Sequence, residues 1–287
     1  MLSCCSSSAP NQVSDKAGGC CPTDIPPAMN NYQGVGKETS LEGHFATMYV
    51  TDPGNVGKNA KTAIIQVTDI FGMSPNANQF ADHLAKGING IVIIPDLLNG
   101  DPWPIDNVPP TKEGKFPAGV EPDDGTGVLF NWIMTHNNTR LDRTADFQAL
   151  KEYIHKEYPA VTKIGIVGMC WGGKVAYFTA KQGGIVDAVA GVHAAMIGKD
   201  DVESVTVPMC LLNSKEEPES MTTEIKPIFE SKDFADKNFF KVFPTMHHGW
   251  MGTRGVGENT DFAIAEQKEK YAECMADLIN FFNKALA

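Results

Sequence analysis

Short apolar segments rich in β-branched residues alternate with stretches of helical periodicity along nearly the whole chain, and few folds accommodate that alternation. Residues 47–51, 62–68, 90–95, 163–168, 188–193, 207–213 and 239–243 read as strands. Residues 75–86, 124–135, 143–157, 172–182 and 221–233 read as helices. Towards the C-terminal end Phe262, Ala265, Tyr271, Met275, Leu278, Ile279 and Phe282 recur at helical spacing, which predicts one long amphipathic helix over 261–286. The strand segments are apolar throughout instead of alternating, so both of their faces are expected to be covered. The expected architecture is therefore α/β, a single mostly parallel sheet with helices on both faces, built from residues 34–287. A chain of 287 residues is long enough to bury the core that such a domain needs.

Residues 1–33 differ in kind. They are rich in Ser, Gly, Pro and Asn without periodicity, and are expected to form a flexible arm outside the core. Four of the seven cysteines lie in this arm as Cys4-Cys5 and Cys20-Cys21. Adjacent pairs depart from the Cys-x-x-Cys spacing that lets two sulfurs face one metal, and a secreted disulfide scaffold would be shorter and more evenly stapled. The cysteines are expected to be reduced, with no metal and no cofactor.

The net charge of −11 opposes nucleic-acid binding, because a phosphate backbone repels an acidic surface. No apolar run approaches the roughly 18 residues that span a bilayer. Residues 1–10 lack the basic and apolar regions of a secretory signal. A cytoplasmic protein with neither membrane nor nucleic-acid partners is expected, while oligomeric state is not encoded in these patterns. The proline-bearing stretch 97–122 fits either a binding loop or a plain surface insertion.

The chemistry concentrates where the apolar segment at 163–167 runs into Gly168-Met169-Cys170-Trp171-Gly172-Gly173 and then a helix. This arrangement is the nucleophile elbow of α/β-hydrolases, with cysteine where serine is usual. So sharp a turn leaves no room for side chains two residues before and two after the nucleophile, which accounts for Gly168 and Gly172. Gly173 extends that clearance. Cys170 would stand at a helix N-terminus, whose free N–H groups and dipole favour negative charge.

In this fold an acid and then a histidine follow the nucleophile, each just past a later strand. Glu216 and Glu217 follow the segment ending at Asn213, and counting from Pro208 favours Glu217 over Glu216. His247 and His248 follow the segment ending at Phe243; His248, beside Gly249, is the preferred general base and acid. His193, at another strand end, is placed to line the pocket.

Together Gly168-Met169-Cys170-Trp171-Gly172-Gly173, Thr68-Asp69-Ile70-Phe71-Gly72, the segment from Pro95 to Trp103 and His248-Gly249-Trp250 resemble the dienelactone hydrolases (carboxymethylenebutenolidases), particularly their eukaryotic members. The resemblance covers residues 40–285. It implies a carboxylic ester hydrolase that opens a lactone or small activated ester through an acyl-enzyme. It also implies Cys170 as nucleophile, His248 as the histidine, and Asp69 as the acid that contacts the thiol and helps to ionise it. The backbone N–H groups of Ile70 and Trp171 would match the family's oxyanion hole, where preorganised donors meet developing charge. Arg254 lies roughly where the family has an arginine near the substrate carboxylate, and Arg254, His193 and Trp250 are candidate substrate-binding residues. Two positions depart from the family pattern. The triad acid is generally Asp but here Glu, and the thiol-contacting acid of bacterial enzymes is Glu but here Asp69. Two other functions fit the sequence: a general carboxylesterase on another substrate, or a redox-sensing protein that works through the N-terminal cysteines.

Overall fold

The computed structural model describes residues 31–104, 132–136, 139–255 and 264–287. Among them eight strands form one sheet: β1 Lys37–Leu41, β2 Phe45–Thr51, β3 Thr62–Val67, β4 Ile91–Pro95, β5 Lys163–Met169, β6 Ala188–Val192, β7 Met209–Asn213 and β8 Phe239–Val242. Their spatial order is β1-β2-β4-β3-β5-β6-β7-β8. The β1/β2 and β2/β4 pairs are antiparallel, and every pair from β4 to β8 is parallel. The helices are α1 Pro75–Ile88, α2 Thr144–Glu157, α3 Trp171–Gln182, α4 Lys199–Glu203, α5 Lys226–Ser231 and α6 Ile264–Ala285.

Successive residues of the central strands feed two cores. On one face Ile65, Ile166 and Val189 pack with Phe147, Leu150 and Ile154 of α2 and with Val175 and Ala176 of α3. On the other, Ile64, Val167 and Ala190 pack with Phe80 and Leu84 of α1 and with Leu278 and Phe282 of α6. Coverage of both faces is what the unbroken apolar strand segments require.

Three features differ from the sequence reading or add to it. β1, Lys37–Leu41, carries no apolar signal because it is an edge strand whose first four residues are exposed. The segment expected as one helix over 221–233 opens as a wider π turn, Met221–Ile225, before α5. Pro227 sits at that change and has no N–H to donate into an α-helical ladder. Finally, Asp82 of α1 is 4% exposed and accepts hydrogen bonds from Tyr32 Oη (2.9 Å), Val35 N (3.0 Å), Tyr49 Oη (2.8 Å) and Thr51 Oγ1 (2.5 Å). One buried carboxylate thus ties α1 to β2 and to the chain entering β1, with the hydrogen bonds that offset its desolvation. Residues 1–30 of the expected arm, most of the 97–122 stretch and the beginnings of the helices expected from Asp124 and Asp261 lie outside the described residues.

Candidate active site

The chain leaves β3 towards β4 on one side, while β5 pairs with the opposite edge of β3. The strand order therefore reverses between β3 and β5, and in open parallel sheets the crevice beyond the carboxyl ends at such a reversal is where ligands bind. The register pairs Val67 with Gly168. Asp69 and Ile70 then follow β3 directly beside Cys170 and Trp171, which follow β5. His193 follows β6, Glu216 and Glu217 follow β7, and His248 follows β8.

Cys170 is the N-cap of α3, with φ 53° and ψ −123°. For a non-glycine residue this conformation is strained by about 1–3 kcal/mol, and it persists only where the surroundings enforce it. They do so here through three backbone hydrogen bonds: Cys170 N–H donates to Val192 O (3.3 Å), and Gly173 N–H (3.0 Å) and Ala195 N–H (2.9 Å) donate to Cys170 O. The neighbouring glycines leave room for the turn. A Cβ on Gly168 would overlap the backbone of Gly172, and one on Gly172 would meet the carbonyls of Thr68 and Val67. The thiol is half-buried and free. Trp171 is the first residue of α3, so its N–H has no acceptor within the helix.

His248 Nδ1 lies 2.6 Å from Glu217 Oε1, whose side chain is 3% exposed. Glu217 is itself held by the N–H and the hydroxyl of Ser214, the latter at 3.0 Å. Glu216 also serves this histidine, but through the main chain: the His248 backbone N–H donates to Glu216 Oε2 at 3.0 Å. Burial alone would push the His248 imidazole down. The negative charge of Cys170 and a hydrogen bond to it, reinforced by the hydrogen bond and charge of Glu217, overcome this and raise it to about 10. His247 differs in every respect. It is 1% exposed, lies 3.3 Å from Arg254 O through Nε2, and is lowered to about 4 chiefly by burial.

A group raised from 6.5 to about 10 stabilises the fold fully below its unfolded value and loses that contribution as pH climbs through the folded one. The melting temperature of the wild type should therefore exceed that of His248→Gln by most at or below about pH 6.5. The gap should close on approach to pH 10. Thermal melts of both proteins across this range would refute the ion pair if the gap stayed constant.

Asp69 is 3% exposed, and burial pushes its carboxyl up against the opposing hydrogen bonds from Thr253 and Phe71. Those bonds come from Thr253 N–H (3.1 Å), Thr253 Oγ1 (3.4 Å) and Phe71 N–H (3.0 Å). Thr253 is absent from the sequence-based site and stands 184 positions away. Ile70 is anchored at its carbonyl, which accepts from Trp103 N–H at 2.8 Å. The remaining candidates separate. The aliphatic part of Arg254 packs over Gly249, and its charge acts on His193 and His247. The His193 ring meets His248 edge to face, with centroids 5.2 Å apart. Trp250 is fully buried against Phe243, at 4.9 Å between centroids. Among the described residues no group of three His, Cys, Asp or Glu is arranged to hold a metal ion, and no helix is long and apolar enough to cross a membrane.

The sequence model of the dienelactone hydrolase family matches residues 47–286. The chain belongs to the dienelactone hydrolase family. As a member of it the protein is a hydrolase, and its open, mostly parallel sheet with helices on both faces is the α/β-hydrolase fold of that family. A carboxymethylenebutenolidase homologue from Mus musculus is 28% identical over 269 residues, spanning 92% of this chain and 96% of the relative. An AIM2 family protein from Schizosaccharomyces pombe is 29% identical over 270 residues, spanning 93% and 99%. Among solved structures, one assigned as a dienelactone hydrolase from Klebsiella pneumoniae aligns with a TM-score of 0.59 at 14% identity, covering 85% of this chain and 98% of that one. At that identity the likeness bears on the fold alone.

Proposed function

We propose that this dienelactone hydrolase family member opens lactones or small activated esters through an acyl-thioester on Cys170. The observation that carries the reading is the 2.6 Å contact between Glu217 Oε1 and His248 Nδ1, on a histidine whose charged form is favoured most by the charge of Cys170. A thiol is a weak nucleophile until it ionises. Here His248 takes the Cys170 proton, and Glu217 fixes the tautomer and stabilises the resulting imidazolium. The thiolate attacks the carbonyl carbon, and the backbone N–H groups of Ile70 and Trp171 receive the charge that develops on oxygen. Collapse of the tetrahedral intermediate expels an alkoxide, which His248 protonates; in a lactone this alcohol stays tethered to the acyl group. Water then releases the acid with His248 as base.

Esters suit this site better than amides. A thiolate leaves a tetrahedral centre more readily than an amine does, so an amide adduct would revert to starting material. Asp69 stands where the family places the acid that assists thiol ionisation, and Arg254 offers a cation to a substrate carboxylate.

The direct test is chemical capture. Protein quenched within milliseconds to seconds of mixing with a p-nitrophenyl ester, or with members of a lactone panel, should carry one acyl group. Intact-mass and peptide analysis should place it on Cys170. Turnover with no acyl-Cys170, or with acyl groups only on other residues, would overturn the mechanism.

A further inference from the structure

His193 is fully buried, and neither ring nitrogen meets a geometrically sound hydrogen-bond partner in the protein. Leaving a buried donor and acceptor unmet is destabilising. The backbone compounds the cost, since His193 holds φ 38°. An apolar ring would fill the same space without the first of these penalties, so packing alone does not account for an imidazole. Its location is specific. The ring lies edge to face with His248, 5.2 Å between centroids, at the start of the turn whose Ala195 N–H holds the carbonyl of Cys170. Burial and the charge of His248 keep it neutral, and a neutral imidazole presents one donor and one acceptor.

We propose that His193 is a catalytic residue of the second half-reaction, hydrogen-bonding the water that hydrolyses the acyl-thioester. The inference rests on the acyl-enzyme reading given above. In the resting enzyme Glu217 engages His248 Nδ1 at 2.6 Å, and on the acyl-enzyme reading the other nitrogen serves Cys170. Acylation removes the second engagement, because the sulfur then carries the acyl group. The histidine now needs a new partner, and the adjacent unpaired imidazole supplies the complementary contacts for it. Water fits a site with one donor and one acceptor, as it offers both. In the step itself the water oxygen bonds to the acyl carbon and one water proton passes to His248. The C–S bond breaks with its electron pair going to sulfur, which regenerates the thiolate beside the imidazolium. The second water proton stays on the carboxylic acid, and His193 ends the step unchanged.

Two variants separate this role from packing. His193→Phe keeps a ring but loses both nitrogens. His193→Asn loses the ring but keeps a donor and an acceptor, and asparagine tolerates positive φ. With a p-nitrophenyl ester, the burst of nitrophenol reports acylation and the later steady rate reports deacylation. His193→Phe should acylate within threefold of wild type yet deacylate at least tenfold more slowly, with acyl-Cys170 accumulating in the mass spectrum. His193→Asn should deacylate faster than His193→Phe. The reverse order, or an equal change in both phases for His193→Phe, would assign His193 to packing and overturn the inference. Absence of acyl-Cys170 in the wild type would instead remove the acyl-enzyme reading, and this inference with it. Melting temperatures of both variants establish that each rate belongs to folded protein.

Discussion

Cys170→Ala is expected to lower kcat/KM for any ester or lactone substrate by about ten-thousand-fold or more in a protein that still folds. Removal of a nucleophile that works as a unit with its base costs about as much as removal of the whole unit, and what remains is stabilisation by the oxyanion donors and by binding. The fold should tolerate the change. The side chain is half-buried, its backbone is held by Val192, Gly173 and Ala195, and alanine adopts φ 53° at no greater strain than cysteine. A control is built into the same experiment. With no thiolate beside it, His248 loses the largest influence that raises it, so the alkaline loss of stability expected of the wild type should move to lower pH. Retention of more than a tenth of wild-type activity by folded Cys170→Ala would rule out the thiol as nucleophile.

The second large effect falls on stability. Gly172→Ala would bring a Cβ to 2.6 Å from the carbonyl oxygen of Val67 and into that of Thr68, both on the backbone of the neighbouring β3 chain. A flexible side chain could swing away, but a strand bonded to neighbours on both sides cannot. Overpacking into mobile side chains costs about 1–3 kcal/mol, and a clash with main chain belongs at or above the top of that range. For a domain of this size that corresponds to a fall in melting temperature of about 8 °C or more. Activity should fall as well, since Thr68 lies two residues before Ile70. Differential scanning calorimetry and ester turnover measure the two effects. A variant that melts within 2 °C of wild type would mean that the elbow is looser than drawn.

Much of this was written in the chain, and what was not has physical reasons. Parallel strands covered on both faces stand out as unbroken apolar runs, so β3 to β8 were legible, whereas β1 shows only Lys-Glu-Thr-Ser-Leu and an exposed edge. The elbow was legible because steric crowding leaves glycine as the economical residue on either side of Cys170. The contact of Glu217 with His248 had a local signal that strand counting does not use: Ser214 stands three residues before Glu217 and donates to both of its carboxylate oxygens. The part played by Glu216 left no such trace, because it is made to a backbone N–H that every residue but proline carries. Thr253 could not be found by spacing at all, since what it holds, Asp69, lies at the far end of the fold's sequence.

That last contact bears on when the chain becomes reactive. The groups around Cys170 arrive from the ends of five strands, β3, β5, β6, β7 and β8, and the clasp between Thr253 and Asp69 closes a loop of nearly two hundred residues. A chain emerging during synthesis carries Cys170 long before Glu217 and His248 exist, and its thiol is then an ordinary, mostly protonated one. On the proposed mechanism, full nucleophilic power is thus withheld until the last parallel strand has docked. An unfinished or misfolded copy then meets passing electrophiles only as an ordinary thiol does, and the rate at which Cys170 is alkylated becomes a gauge of how much of the protein has completed its fold.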